Sequence, residues 1–333
     1  MQISGEKRGH AAELDGTILF GICPACSCVD SQVLFSAQDR LYSSTSRSFK
    51  IVECSQCRLI RLSPQPQPSE LQGFYPPGFW LEPNRILSGI EGFYRRLVLR
   101  DHLRFVERGM RESEQGGLVL DVGGGGLFLR MLADRGHPNV VGLHFGLDTA
   151  TVAFSEAGVR SVCGTLSRAP FPPGSCAAIT LFHVLEHLYE PAGYLDAAHQ
   201  LLAPDGHLYI QVPNASCWQF LLLGEHWSGL DVPRHLVHFR SRDLETLLTD
   251  RGFELLRRKQ FSWRDNARML ATSLVPSLDP SIRRLNQRKE THFQARAKNL
   301  VFLALVLCAL PLAVLESACQ AGATVMIEAR KKS

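Results

Sequence analysis

The sequence has little net charge. Its 36 Lys and Arg against 32 Asp and Glu leave +4 over 333 residues, too weak an imbalance to argue for a nucleic-acid partner. Cysteine is too sparse, at ten, for a disulfide-stapled small fold. The first residues, MQISGEKRGHAAELDG, contain no apolar core of signal-peptide length. The sequence therefore predicts a chain that is not secreted and sits in the reducing cytoplasm, where clustered cysteines read first as metal ligands. No internal repeat is visible. Apolar residues are plentiful: 45% hydrophobic against 20% charged excludes a largely disordered chain, and the length suggests two domains.

Composition shifts divide the chain. Residues 1–16 read as a polar, flexible terminus and 17–63 as a small metal-binding module. Residues 64–100 read as a proline-rich linker and helical connector, opened by SPQPQP, and 101–333 as the larger domain. There, GLVLDVG, NVVGLHF, AAITLFHVL and HLYIQVPN are short apolar runs that alternate with the helical patterns FLRMLADRG, LDTATVAFSEAG and PAGYLDAAHQLLA. Further strands are expected at GFELLRRKQF and ATVMIEARK. This alternation predicts an α/β fold, a parallel sheet with helices on both faces. An apolar helical insertion is expected at about 265–320. Within it, residues 300–315 carry no charge, a run short of the about 20 residues a spanning helix needs. The favoured expectation is a buried helix broken near Pro311; the sharper one is an interfacial hairpin.

Cys23-Pro24-Ala25-Cys26 and Cys54-Ser55-Gln56-Cys57 are two C-x2-C knuckles. Each aims two thiolates at one point, and together they make a closed tetrahedral S4 site suited to structural zinc. Asp121-Val122-Gly123-Gly124-Gly125-Gly126 follows a strand and precedes a helix, where glycines let the backbone approach a ligand. No lysine follows, which disfavours ATP or GTP. His183-Val184-Leu185-Glu186-His187 closes another strand, at the end of a parallel sheet where ligands bind.

Several blocks carry a resemblance: CPAC, ECSQC, LSPQPQPSELQGFYPPGFW, DVGGGGLFLRML, PFPPGSCAAITLFHVLEHLYEP, LLAPDGHLYIQVPN and HWSGLDVPRHLVHFRSRDLETLL. In this order they resemble the class I S-adenosylmethionine (SAM)-dependent methyltransferases, specifically the bacterial subgroup with an N-terminal CxxC…CxxC zinc-binding module. The resemblance covers roughly residues 20–332. It implies a Rossmann-like seven-stranded methyltransferase sheet, helices on both faces, a zinc-ribbon-like module and SAM as cofactor. It places Asp121, Gly123, Gly124, Gly125 and Gly126 at the methionyl end of SAM. It places His144 where the family usually has a ribose-binding acid, Thr165 and Leu166 near the adenine, and His183 at the cofactor. The glycine loop reads one residue shorter than the family's, and Cys176-Ala177 stands where Phe-Asp is common.

The resemblance also implies catalytic roles for Glu186, His187, His235 and His238, with His187 or His235 as base and Glu186 orienting it. The acceptors it implies are a small molecule, a sugar or a lipid-linked glycan, with no nucleic acid. Membrane contact at the inner face through 300–315 accompanies that expectation. The competing expectation is a catalytically degenerate member whose fold and zinc module serve as a binding or scaffold unit.

Overall fold

A computed structural model of the chain describes residues 21–79, 89–112, 117–287 and 290–332. The terminus expected at 1–16 lies outside them.

The small module is an antiparallel meander of β1 (Ser31–Gln38), β2 (Ser48–Cys54) and β3 (Ile60–Ser63). Phe49, Ile51, Val52 and Ile60 suit a half-buried pleat and are at most 2% exposed. The larger domain contributes β4 (Leu118–Val122), β5 (Val140–His144), β6 (Ser161–Cys163), β7 (Cys176–Phe182), β8 (Leu202–Pro213), β9 (Val237–His238), β10 (Phe253–Lys259) and β11 (Thr324–Lys331). Seven of these form one sheet in the order β10-β11-β8-β7-β4-β5-β6. The pairs β4–β5, β4–β7, β5–β6 and β7–β8 are parallel, and β11 runs antiparallel to both β8 and β10. This is the expected seven-stranded sheet. Its apolar runs are buried along most of their length because helices cover both faces.

Strand β9 does not join that sheet. It pairs antiparallel with β3, placing Ile60 opposite His238, and makes the small sheet four-stranded in the order β1-β2-β3-β9. One apolar cluster runs from Phe49 and Ile60 through Leu236 and Phe239 to Ile179 and Leu208. The module thus borrows core from the larger domain, which a segment of its size needs.

The proline-rich segment lies against this body. It carries α1 (Pro68–Leu71) and leads on to α2 (Gly89–Glu112). The Pro66 carbonyl accepts from Tyr189 Oη at 2.9 Å and the Phe74 carbonyl from Arg234 at 2.8 Å. After β4, β5 and β7 come α3 (Leu127–Ala133), α4 (Leu147–Ala157) and α5 (Pro191–Leu201), and after β8 come α6 (Trp218–Leu223) and α7 (Ser241–Asp250). Between β10 and β11 stand α8 (Asn266–Leu274), α9 (Pro280–Leu285) and α10 (His292–Ala318). Thr291 and Gln294 cap α10 reciprocally.

Helix α10 corrects the expectation of a buried, broken helix. It runs unbroken through Pro311. Among its described residues only Phe302, Ala309, Ala313 and Glu316 are buried, while Leu300, Leu303 and Leu307 are more than half exposed. The reason is coverage: the nine-residue α8 backs one side of a 27-residue helix.

Candidate active site

The strand order reverses between β4 and β7, so the crevice outside their C-terminal ends is where an open α/β sheet binds ligands. Two loops meet there. The first is the glycine loop after β4. Asp121 is buried beneath it and accepts from Thr180 Oγ1 at 2.5 Å. Burial pushes its carboxyl up to about 7, against that hydrogen bond. A side chain at Gly124 would collide with the Asp121 carboxylate, so glycine lets the loop fold tightly over it. Gly126 starts α3 at φ +83° and approaches Ala157 too closely for a Cβ. Gly123 and Gly125 remain exposed, which leaves the loop's backbone open to a ligand.

The second loop is the turn after β7. A Cβ at Gly123 would sit 3.4 Å from Val184, so the two loops lie within a methyl group's reach of each other. His183 takes φ +57°. Its Nδ1 lies 3.1 Å from Glu186 Oε1, and its Nε2 lies 3.5 Å from Asp265 Oδ2 and 3.1 Å from Gln211 Nε2. Burial opposes charge on His183, but the hydrogen bonds and charges of Asp265 and Glu186 prevail and hold it up to about 9. Burial likewise opposes charge on Glu186, but His183 brings its carboxyl down to about 2. Glu186 therefore orients His183 directly, rather than hydrogen-bonding His187.

His187 is oriented from the other side. Its Nδ1 is 3.1 Å from the Arg234 carbonyl and 3.2 Å from Tyr75 Oη. A carbonyl only accepts, so Nδ1 carries the hydrogen and Nε2 the lone pair. Burial and neighbouring His235 lower His187 to about 4, leaving it neutral at neutral pH. His235 packs edge-on against it, with ring centroids 4.6 Å apart. His235 Nδ1 is 2.9 Å from the Gly229 carbonyl, so the same argument opens its Nε2, which lies 3.8 Å from Asp231 Oδ2. One ligand atom each from Glu186, His187 and His235 falls within 4.8 Å of the others.

The remaining expected residues diverge. His238 is buried in β9 with Nε2 unpartnered, and burial and His235 lower it to about 3. Leu166 is buried beside the exposed Thr165, whose hydroxyl lies 3.2 Å from that of Ser167. His144 is 2% exposed and folds back under Gly142, where a Cβ would lie 2.5 Å from its Nε2. That nitrogen has no partner, and burial lowers its pKa.

Tyr75, Gln211 and Asp265 were not singled out from sequence. Tyr75 stood within the aromatic FYPPGFW block, which offered a signal. Asp265 sits between β10 and α8 and had none. Asp265 also accepts from Gln211 at 2.7 Å and Ser262 at 2.8 Å; burial raises its carboxyl, but the Arg264 charge and then His183 hold it well below the usual range.

The His183 pair yields a pH prediction. Its folded value of about 9 exceeds the ordinary 6.5, so its stabilisation is fully present below pH 6.5 and disappears as pH rises through 9. Glu186, shifted from 4.5 to about 2, contributes above pH 4.5 and loses that contribution as pH falls toward 2. Unfolding free energies of the wild type and His183→Gln from urea titration should therefore differ by about 2–3 kcal/mol near pH 6 and converge by pH 10. A gap independent of pH would refute the charged pair.

The four cysteines converge as expected. Cys23 Sγ is 3.5 Å from Cys57 Sγ, and Cys26 Sγ is 3.5 Å from Cys54 Sγ. All four sulfurs lie within 4.8 Å, and none forms a disulfide. A tetrahedral zinc with bonds of about 2.3 Å has S···S edges of about 3.8 Å, so the donor set fits that ion. The two knuckles repeat one turn: Ser27 N donates to the Cys23 carbonyl and Arg58 N to the Cys54 carbonyl. Ser27 and Arg58 take φ of 60° and 67°.

An α/β sheet with a glycine loop at its switch point and a polar cluster facing it defines a class of group-transfer and nucleotide-binding proteins. Comparison narrows the class. The family model described as "Methyltransferase domain" matches residues 90–258, and the chain belongs to that family. A ubiquinone biosynthesis O-methyltransferase of Pseudomonas aeruginosa (strain UCBPP-PA14) is 31% identical over 140 residues, 39% of this chain and 60% of that protein. Its counterpart in Psychrobacter arcticus is 32% identical over 171 residues, 47% of this chain and 65% of that one. The chain thus spans less than two thirds of the length of these relatives. Among solved structures, the cyclase SpnF aligns over 76% of this chain and 85% of its own, at 19% identity and a TM-score of 0.47.

Proposed function

We propose that the chain is a SAM-dependent methyltransferase acting on a small-molecule acceptor whose attacking atom carries a proton. The observation that carries this is the close approach of the open glycine loop to the turn bearing His183, Glu186 and His187. The exposed loop backbone fits the methionyl end of SAM. At the ribose end the counterpart is His144, whose buried ring offers one acceptor in place of a carboxylate. Bound SAM would supply a methyl group on a positive sulfur. The protein's own work is then to align the acceptor and take its proton.

His235 suits the base. Its Nε2 is open, and Asp231 stands at 3.8 Å to balance the imidazolium formed on proton uptake. Neutral His187, held by Tyr75 and the Arg234 carbonyl, packs edge-on beside that base and fixes its ring. Sugars and lipid-linked glycans are the acceptor classes we favour, and the four-cysteine site is assigned to structural zinc. The small module, the proline-rich segment and the catalytic domain would then act as one body, with 265–320 as an insertion.

Calorimetric titration with SAM, followed by turnover of His187→Ala and His235→Ala, tests this. Micromolar SAM affinity, retained in both variants, with turnover down roughly 10²–10⁴-fold for His235→Ala, is expected. Unchanged turnover would remove the base assignment. Absence of SAM binding by the folded protein, with and without candidate acceptors, would favour the scaffold reading that the buried His144 suggests.

A further inference from the structure

We propose that the α8–α10 insertion is a monotopic docking surface for an anionic lipid bilayer, with the exposed side of α10 immersed among acyl chains. This goes beyond the methyl-transfer reading and does not depend on it. Residues 300–315 carry no charge. At about 100° per residue, the exposed positions from Leu300 to Leu315 sweep about 180° of the helix. That arc is wider than the stripe through which one helix packs on another. A helix that is apolar around most of its surface belongs in a core or in lipid, and here the core covers one side only. A fluid bilayer solvates a convex apolar cylinder completely, whereas a second copy of the chain would leave much of the arc in water.

Neighbouring residues enlarge the surface. Buried Glu316 ties α10 to α6 by accepting from Gln219 N at 3.0 Å and Gln219 Nε2 at 2.9 Å. The same short helix exposes Leu221 at 70% and Leu222 at 77%. Phe293, in the first turn of α10, is 82% exposed.

Charge favours an anionic surface. Residues 261–320 hold eight Lys and Arg against four Asp and Glu, an excess equal to the whole chain's +4. All four carboxylates are turned inward: Asp265, Asp279 and Glu316 are buried and paired, and Glu290 is taken by Arg283 and Lys298. Arg284 and Arg296 are exposed, on α9 and the first turns of α10. The insertion therefore shows lipid a basic end and an apolar body, with no exposed carboxylate among its described residues.

The topology excludes a simple span. Helix α10 is about 40 Å long, yet β11 immediately after it lies between β10 and β8, and α8 before it packs along its side. Both ends belong to one body, so the helix dips into one leaflet.

The test uses the full-length zinc-loaded protein and co-sedimentation with vesicles of phosphatidylcholine, alone or mixed with phosphatidylglycerol. Expected is binding that is stronger to the anionic vesicles and weakened by salt, with a blue shift of the 59% exposed Trp263. The quadruple variant Leu303→Gln, Leu307→Gln, Leu312→Gln, Leu315→Gln should lose at least tenfold in binding. Arg284→Gln with Arg296→Gln, both on the surface, should lose the preference for phosphatidylglycerol by roughly tenfold or more, and serves if the quadruple variant does not fold. Absence of vesicle binding by the wild type, equal binding by the folded variants, or a dimer that the leucine substitutions dissociate without any lipid binding would overturn the proposal.

Discussion

Changing Cys54 to serine is expected to melt the small sheet and abolish methyl transfer together. A closed four-thiolate site supplies an apparent about 10–16 kcal/mol when it binds zinc, as much as the about 5–15 kcal/mol that holds a typical domain. Here the ion would join the knuckle before β1 to the one between β2 and β3, with Cys54 closing β2 itself. Loss of the ion frees β3, and β9 loses its only ladder partner in the described residues. Position 238 is then unpinned, three residues beyond the proposed base His235. Metal analysis, limited proteolysis within 31–63 and turnover should all report the change. A variant that keeps one zinc per chain and full turnover would show that the site is neither closed nor structural.

Replacing Arg234 with methionine should cost about 3–5 kcal/mol of stability, because it strips a buried cation from two carboxylates. Arg234 is fully buried. It grips Asp39 through both terminal nitrogens, at 2.9 and 2.6 Å, and Asp231 at 3.0 and 2.7 Å. Its guanidinium also stacks 4.4 Å from the centre of the Tyr42 ring. Burial pushes Asp39 up, yet Arg234 and Ser44 pull it below its ordinary 3.8. That pair's contribution is therefore present above pH 3.8 and lost as pH falls further. The gap between wild type and variant should narrow under acid. Arg234→Lys should not rescue, since a point charge cannot reproduce the fork. Turnover should fall as well, because the Arg234 carbonyl orients His187. A urea-derived difference below 1 kcal/mol at neutral pH would refute this role.

What the sequence disclosed followed from local chemistry. Strands β4, β5, β7 and β8 were legible because a strand buried on both faces must be apolar along its run. The knuckles were legible because a ligand pair two residues apart has little other use in a reducing compartment. The grip of Arg234 on Asp39 was not, because it joins residues 195 apart and no local pattern foretells a partner at that distance. Asp265 stayed hidden for the same reason. The inward turn of His144 depends on the space beneath Gly142, which a strand pattern does not encode. The exposure of α10 was misjudged because an uncharged run reads alike whether protein or lipid surrounds it.

The pairing of β3 with β9 also sets an order of assembly. Synthesis runs from the N-terminus, so the cysteine meander emerges long before the residues that complete its sheet. Ile60 waits for His238, and Asp39 waits for Arg234. Until the ribosome has delivered five of the seven strands of the central sheet, the module has an open strand edge and an uncompensated carboxylate. Nascent chains stalled before residue 234 should therefore present a protease-sensitive N-terminal third, and protection should arrive in one step once the PRHLVHF segment has cleared the exit tunnel.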